Sequence, residues 1–359
     1  MMKSVNTVEM TANAVALLRK KIAIRSFSGN EEEAANLICS HLSQHGITFN
    51  RLVNNICCFA KGFNPARPTL MINSHLDTVR PSAGYSIDPF NPPAEPDRIS
   101  GVGSNDAGAS VVSIIETFKY FYEKELNFNL MMVLSCEEEN SGSQGIDLVI
   151  GEYPFITCAI IGEPTKMQSA VAERGLLVVD ATAKGVSGHA AREEGINAIM
   201  KAIEDISFIK DFEFERNSGL MGKVKMSVTQ IEAGTQHNVV PDLCKFVIDI
   251  RPTEQYSNTE IMEILAANLK SELKPRSLRN KCSITPSGHP LIKCAESSGI
   301  NCYVSPTTSD WMRLSCPAIK MGPGDSSRSH KADEYVLVGE INDGISGYIN
   351  FINNLNLEI

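Results

Sequence analysis

Apolar residues in the first 165 positions fall into short continuous runs alternating with stretches of helical spacing. Residues 11–22 read as a helix, and 30–45 as a second. Ser28 with Glu31 three positions on forms a capping-box pattern before the second, and Gly46 is a stop. Residues 56–60, 69–74, 130–135 and 158–161 read as short buried strands. Val111, Val112, Ile114, Ile115 and Phe118 recur at helical spacing, and 144–150 predicts one more helix. Residues 81–96 are rich in proline, lack periodicity and predict a loop. Strands alternating with helices imply an α/β domain with a central, mostly parallel sheet flanked by helices.

Near Ala170 the rhythm changes to strict alternation. Residues 176–184, 223–231 and 245–250 predict half-buried strands, and 197–209 a helix. Ser257 with Glu260 opens a helix running to about 273, and 281–285 is the expected last strand. This βαββαβ order predicts a ferredoxin-like α+β unit with four strands and two helices. Afterwards 290–298 reads as helix, 318–321 as strand and 338–355 as helix. The expected layout is therefore a discontinuous main domain, 1–168 and 285–359, with a satellite domain at 169–284.

Composition narrows the classes. At 359 residues, with 43% hydrophobic and 21% charged, the chain is an ordinary globular protein of two domains. A formal net charge of −9 gives no reason to expect nucleic acid or an anionic membrane as partner. No apolar run approaches a membrane span, and the short run 14–18 precedes its basic residues instead of following them. The expected location is cytoplasmic. The ten cysteines form no CxxC pair, which argues against a thiolate zinc site or a disulfide scaffold.

Chemistry gathers at predicted strand ends, where open α/β sheets bind their ligands. His75-Leu-Asp77 follows one strand, and Glu137-Glu138 another. Glu163 follows a third, within Gly162-Glu163-Pro164. Asp106 stands in a Gly-rich turn before a helix, and His330 follows the loop Gly322-Pro323-Gly324-Asp325. Two imidazoles and several carboxylates suit zinc, cobalt or manganese better than calcium. With that many ligands, two metals are more economical than one. A carboxylate shared by both would help offset their repulsion, and Asp106 is the candidate.

These motifs, in this order, resemble the zinc aminoacyl-hydrolase family. It contains acetylornithine deacetylase, succinyl-diaminopimelate desuccinylase, aminoacylase and carboxypeptidase G. His330-Lys331-x-Asp333-Glu334 and the inserted satellite domain fit as well. One departure is Cys136, where family members commonly carry Asp before the Glu pair.

The resemblance implies a zinc-exopeptidase-like fold and two divalent metal ions. His75, Glu163 and the bridging Asp106 would hold one; Glu138, His330 and Asp106 the other. Asp77 would orient His75, and Glu137 would be general base and then acid. A non-proline cis peptide is implied at Asp106–Ala107. His189, on the satellite domain, would donate to the oxyanion in the other subunit of a homodimer. Arg251 would pair with a substrate α-carboxylate, near Asn238. Thr308, Ser309 and the loop from Gly322 to Gly324 would line the substrate. The implied reaction is amide hydrolysis of an N-acyl-L-amino acid, N-acetyl-L-ornithine first. The alternatives are a succinylated amino acid or a dipeptide.

Overall fold

The structure is a computed structural model that describes residues 6–192 and 194–357. The chain divides into two compact units. One comprises 1–171, 284–303 and 309–359; the other comprises 172–283 and 304–308.

The first unit is built on a sheet containing β1 (Asn50–Leu52), β2 (Asn55–Phe59), β3 (Thr69–His75), β4 (Asn129–Ser135), β5 (Cys158–Ile161) and β6 (Ala318–Lys320). Their order is β1-β2-β4-β3-β5-β6. β3 runs parallel to β4 and β5, and β6 parallel to β5. β2 is antiparallel to β1 and β4, and the strand Ser169–Glu173 joins β6 antiparallel, Ala170 opposite Lys320. β3 and β4 are buried at every position, as expected when a sheet is covered on both faces. Leu70 and Ile72 pack into one core with α1 (Thr7–Ile22), α3 (Ala109–Phe121) and α4 (Val338–Asn354). Met71 points the other way, into a second core with Met131, Val133, Ile146 and Trp311. The two-residue period of a strand thus builds both layers.

Register decides where the chemistry lies. His75 pairs with Ser135, Asn73 with Ile161, and Ile161 with Lys320. Four parallel strands therefore finish on one edge, and each hands its next residues to the same rim.

The second unit carries a four-stranded antiparallel sheet. Its order is Lys225–Ala233, Leu243–Arg251, Leu177–Lys184, Glu272–Pro275. Leu177, Val179, Ala181 and Ala183 share a core with the helices Ala198–Asp211 and Asn258–Asn268. Ser257 does cap the second helix, accepting from the Glu260 N–H at 3.1 Å. The arrangement is ferredoxin-like, with one correction. The fourth strand is Glu272–Pro275, whereas the expected segment near 281–285 contributes only Ser283–Ile284, outside this sheet. Glu-Leu-Lys-Pro is a short charged edge strand ending in proline, a composition that blocks further pairing and hides the strand from an apolar-run criterion.

A second correction concerns α2 (Glu32–Gln44). Its N-cap, Glu31, makes no side-chain cap, and Ser28 is not part of a capping box. The Ser28 hydroxyl donates to Asp77 at 2.6 Å instead.

Candidate metal centre

The rim is assembled from His75 outward. At the end of β3 the His75 ring is 2% exposed. Its Nδ1 lies 3.0 Å from the carbonyl oxygen of Asp77 and 3.5 Å from the Asp77 carboxylate, which leaves Nε2 turned toward the other acids. Asp77 is itself fastened. It accepts from the backbone N–H groups of Glu138 at 3.1 Å and Glu139 at 3.0 Å. One fully buried carboxylate therefore ties the end of β3 to the end of β4 and orients the imidazole.

Asp106 arrives on the turn Ser104–Gly108, ahead of α3, and the Asp106–Ala107 peptide is cis. Buried Glu334 holds this turn. Its carboxylate accepts from the N–H groups of Asn105 and Asp106, both at 2.9 Å, and Gly103 at 3.1 Å. The two Asp106 oxygens face different histidines. Oδ1 is 3.3 Å from His75 Nε2, and Oδ2 is 3.7 Å from His330 Nε2. Glu163, beyond β5, stands 3.8 Å from His75 Nε2.

The three acids after β4 are sorted by the backbone. Glu137 has φ +55°, a left-handed turn that redirects the chain as it leaves the strand. Its carboxylate accepts from the N–H of Gln144 at 3.0 Å, and a Cβ on Gly142 would collide with it. Glu137, the expected base, is thus a turn residue whose carboxylate is engaged by the backbone N–H of Gln144. Glu138 lies 4.0 Å from His75 Nε2, and Glu139 lies 3.0 Å from His330 Nε2. The acid that the fold places beside His330 is Glu139, where the expectation had Glu138. One ligand atom each from His75, Asp106 and Glu139 lie mutually within 4.8 Å, as do those from His75, Glu138 and Glu163.

Other residues of the rim carried no role in the sequence reading. Asp310 is buried and accepts from the Ser135 hydroxyl at 2.5 Å. Glu334 was legible as part of a motif, but not as the brace of the Asp106 turn.

The charge balance shows what the cluster can hold. Burial, reinforced by Asp106, pushes the Glu163 carboxyl up to about 8. Burial holds Glu138 well above the usual range, with Glu163 adding to the shift, and raises Asp310 to about 7. His75 is raised because its bonds to Asp106 and Asp77 outweigh the cost of burying it. His330 rises to about 9 through its bond to Glu139. Several carboxylates thus compete for too little positive charge. The donor set is mixed imidazole and carboxylate, with Asp106 offering one oxygen to each side. These residues fit a pair of divalent cations of the zinc, cobalt or manganese type.

A pH effect on the metal-free chain follows. Glu163 and His330 hold protons in the folded state that the unfolded chain releases near 4.5 and 6.5. Their folded values are raised, so the associated stability is present at low pH and is lost as pH rises toward 8 and 9. His41, lowered to about 4 by burial, acts in the opposite sense, but only below 6.5. The melting temperature of chelator-treated protein should therefore fall between pH 6.5 and 8, and added metal should reverse the trend. A flat or rising profile, read by differential scanning fluorimetry, would contradict the charge balance.

The expected substrate residues are placed less uniformly. His189 is exposed, in a two-residue strand paired with Val239–Val240, and its Nδ1 accepts from Ala191 at 3.1 Å. Asn238 lies beside it, its carbonyl accepting from Ala190. Arg251 ends its strand with the guanidinium bonded twice to Asp249, at 2.7 and 3.0 Å. Thr308 is half-buried at the end of its segment. Ser309 is fully buried and caps the short helix Asp310–Arg313, so it acts on the fold. The Gly322 N–H donates to Thr165 at 3.0 Å, which corrects the expectation that it is free for substrate. Gly324, with φ +90°, gives its carbonyl to Lys166.

Known proteins resemble this chain in sequence and in fold. Residues 171–277 match the model of a peptidase dimerisation domain of the M20 type, and 55–151 match that of peptidase family M28. An acetylornithine deacetylase of Edwardsiella ictaluri is 25% identical, covering 90% of this chain and 92% of its own. The M20 family metallo-carboxypeptidase of Sulfolobus solfataricus has the same fold. Its TM-score is 0.76, with 17% identity over 95% of this chain and 98% of its own. A Bacillus subtilis M20 peptidase, described as binding a dinuclear metal centre, superposes with TM-score 0.70 at 15% identity, covering 96% and 98%. No helix among the described residues is long and apolar enough to cross a membrane. The chain thus has the fold of M20 peptidases, carries a match to their dimerisation domain, and is, with its matched relatives, a metal-dependent amidohydrolase.

Proposed function

We propose that the protein hydrolyses the amide bond of an N-acyl-L-amino acid, with N-acetyl-L-ornithine or a close analogue as first candidate. One observation carries the reading: the two Asp106 oxygens are divided between two histidine–carboxylate groups, 3.3 Å from His75 and 3.7 Å from His330. His75, Asp106 and Glu163 would hold one divalent cation, and Asp106, Glu139 and His330 the other. When bound, such a pair supplies Lewis acidity toward the amide carbonyl and a water acidic enough to ionise near neutrality.

The rest falls to side chains of this chain. Glu138 reaches the cluster while making no backbone cap of its own, so it is the acid assigned to take a proton from the attacking water. It then returns that proton to the departing nitrogen. Burial raises its pKa, which favours the second half of that task. Asp77 keeps the His75 tautomer fixed and keeps Glu138 at the rim. Arg251 is the candidate for a substrate carboxylate by resemblance; Asp249 holds its guanidinium as a fork, a preorganised partner for a second planar anion. His189 and Asn238 are assigned to substrate contacts on the same grounds. A homodimer through the second unit is supported by Met200, Ile203 and Ile231, which are 59%, 47% and 57% exposed.

A carboxypeptidase or dipeptidase activity is the second reading, supported by the shared fold of the Sulfolobus metallo-carboxypeptidase. One assay separates them. Acetyl- and succinyl-ornithine, -citrulline and -diaminopimelate are run beside a set of dipeptides, with and without chelator. The expected result is chelator-sensitive release of free amino acid, with highest kcat/KM on an acetylated substrate. Faster turnover of dipeptides or of succinyl-diaminopimelate would overturn the preferred substrate.

A further inference from the structure

Glu31 is fully buried, yet as the N-cap residue of α2 its side chain makes no bond to that helix. It faces the other way. Oε1 accepts from the Gly29 N–H at 2.6 Å and from the Glu137 N–H at 3.2 Å, and Oε2 accepts from the Asn54 side-chain amide at 3.1 Å. Gly29, at φ +84°, gives its loop the bend that brings its N–H onto that carboxylate. Asn54 lies in the turn between β1 and β2, and its own oxygen is held by Arg51 at 2.9 Å. The carboxylate is thus clamped from two sides, with one oxygen presented to the chain leaving β4.

The ladder of β4 ends at Ser135, and the next four N–H groups pass to side chains. Cys136 donates to Asn55 at 3.1 Å, Glu137 to Glu31, and Glu138 and Glu139 to Asp77. All three acceptors are fully buried. The second of these contacts falls at the deciding residue. Glu137 has φ +55°, uncommon for a residue with a side chain, and the rotation there sets which of the following acids face His75 and His330. Asp77 holds the two residues beyond the turn; Glu31 takes the N–H of the turn residue itself.

We propose that Glu31 is a positioning residue: its carboxylate, clamped by Gly29 and Asn54, grips the Glu137 N–H and so fixes the left-handed turn that directs Glu138 and Glu139 into the cluster. The inference rests on the reading of Glu138 as proton carrier and Glu139 as ligand. What the role requires is the reach of the side chain and an acceptor oxygen at its end.

The test separates reach from charge. Glu31→Asp keeps a carboxylate at the head of α2, where aspartate is a favourable cap, but withdraws it by one carbon from Glu137. It is expected to keep the parent melting temperature and a KM within about threefold, yet to lower kcat about a hundredfold, the scale of an ångström's misplacement. The visible absorption of the Co2+-loaded chain, which reports coordination geometry, should shift with it. Glu31→Gln offers an oxygen at the original reach to Gly29 and Glu137, so it should hold kcat within about threefold and keep the parent band. Amide hydrogen exchange across 136–139 in the metal-free chain should quicken in Glu31→Asp and stay slow in Glu31→Gln. Parent-like kcat, band and exchange in Glu31→Asp would overturn the proposal. So would a lowered melting temperature with normal kcat and band, the mark of a purely structural residue. Should Glu31→Asp fail to fold, Gly29→Ala strains the loop that aims the carboxylate and should show the same losses; a parent-like kcat and band there overturns the role. A parent that binds Co2+ but turns over none of the panel substrates would remove the proposed reaction, and the band and the exchange would still decide on Glu31. A parent that binds no Co2+ would remove the metal centre, and the exchange alone would decide.

Discussion

Glu138→Gln is expected to lower kcat about a thousandfold and to leave metal content unchanged, whereas Glu137→Gln should stay within about threefold of the parent. The two residues are adjacent and chemically identical, so only geometry separates them. Glu138 lies 4.0 Å from the Nε2 of His75, and its backbone is pinned by Asp77. Glu137 turns its carboxylate to the N–H of Gln144. Glutamine in place of Glu138 keeps the volume but cannot take a proton from water, so the loss falls on kcat and not on KM. Glutamine in place of Glu137 still offers an oxygen to the Gln144 N–H. Steady-state kinetics with metal analysis of both variants checks the pair. Collapse of activity in Glu137→Gln, with Glu138→Gln active, would return the base to the first position and undo the register set out above.

That one-residue register shows what a sequence can and cannot carry here. The strands were legible because β3, β4 and β5 are buried along their length and read as unbroken apolar runs. Their parallel ends could therefore be expected on one rim, and His75, Asp106, Glu163 and His330 do meet there. Three consecutive glutamates carry no internal mark of which faces inward. The deciding feature is the left-handed conformation at Glu137, and nothing about a glutamate announces it. The final acid of the run belongs with His330, a contact across 191 positions of chain. Ser28 misled for a related reason: a serine three residues ahead of a glutamate satisfies a local capping rule, yet its hydroxyl bonds a carboxylate 49 positions away.

Asp106→Asn should be the most damaging single change at the rim. It is expected to reduce bound metal from about two ions per chain to one or fewer, with turnover lost by about a thousandfold or more. A carboxamide keeps the shape of the side chain but presents one oxygen and one N–H2 group. It can face His75 or His330 as an acceptor, but not both, and it carries no charge to offset two cations held side by side. Glu163→Gln and Glu139→Gln provide the comparison. Each lies on one side of Asp106 only, 3.8 Å from His75 and 3.0 Å from His330 respectively, so each should weaken one ion and spare the other. Metal content after dialysis, with calorimetric titration of Mn2+ or Zn2+, distinguishes the three variants. Because bound metal stabilises the folded state by mass action, Asp106→Asn should also lose most of the rise in melting temperature that added metal gives the parent. Full occupancy of both ions in Asp106→Asn would mean that this carboxylate does not bridge, and the two histidine groups would then have to be read as separate sites.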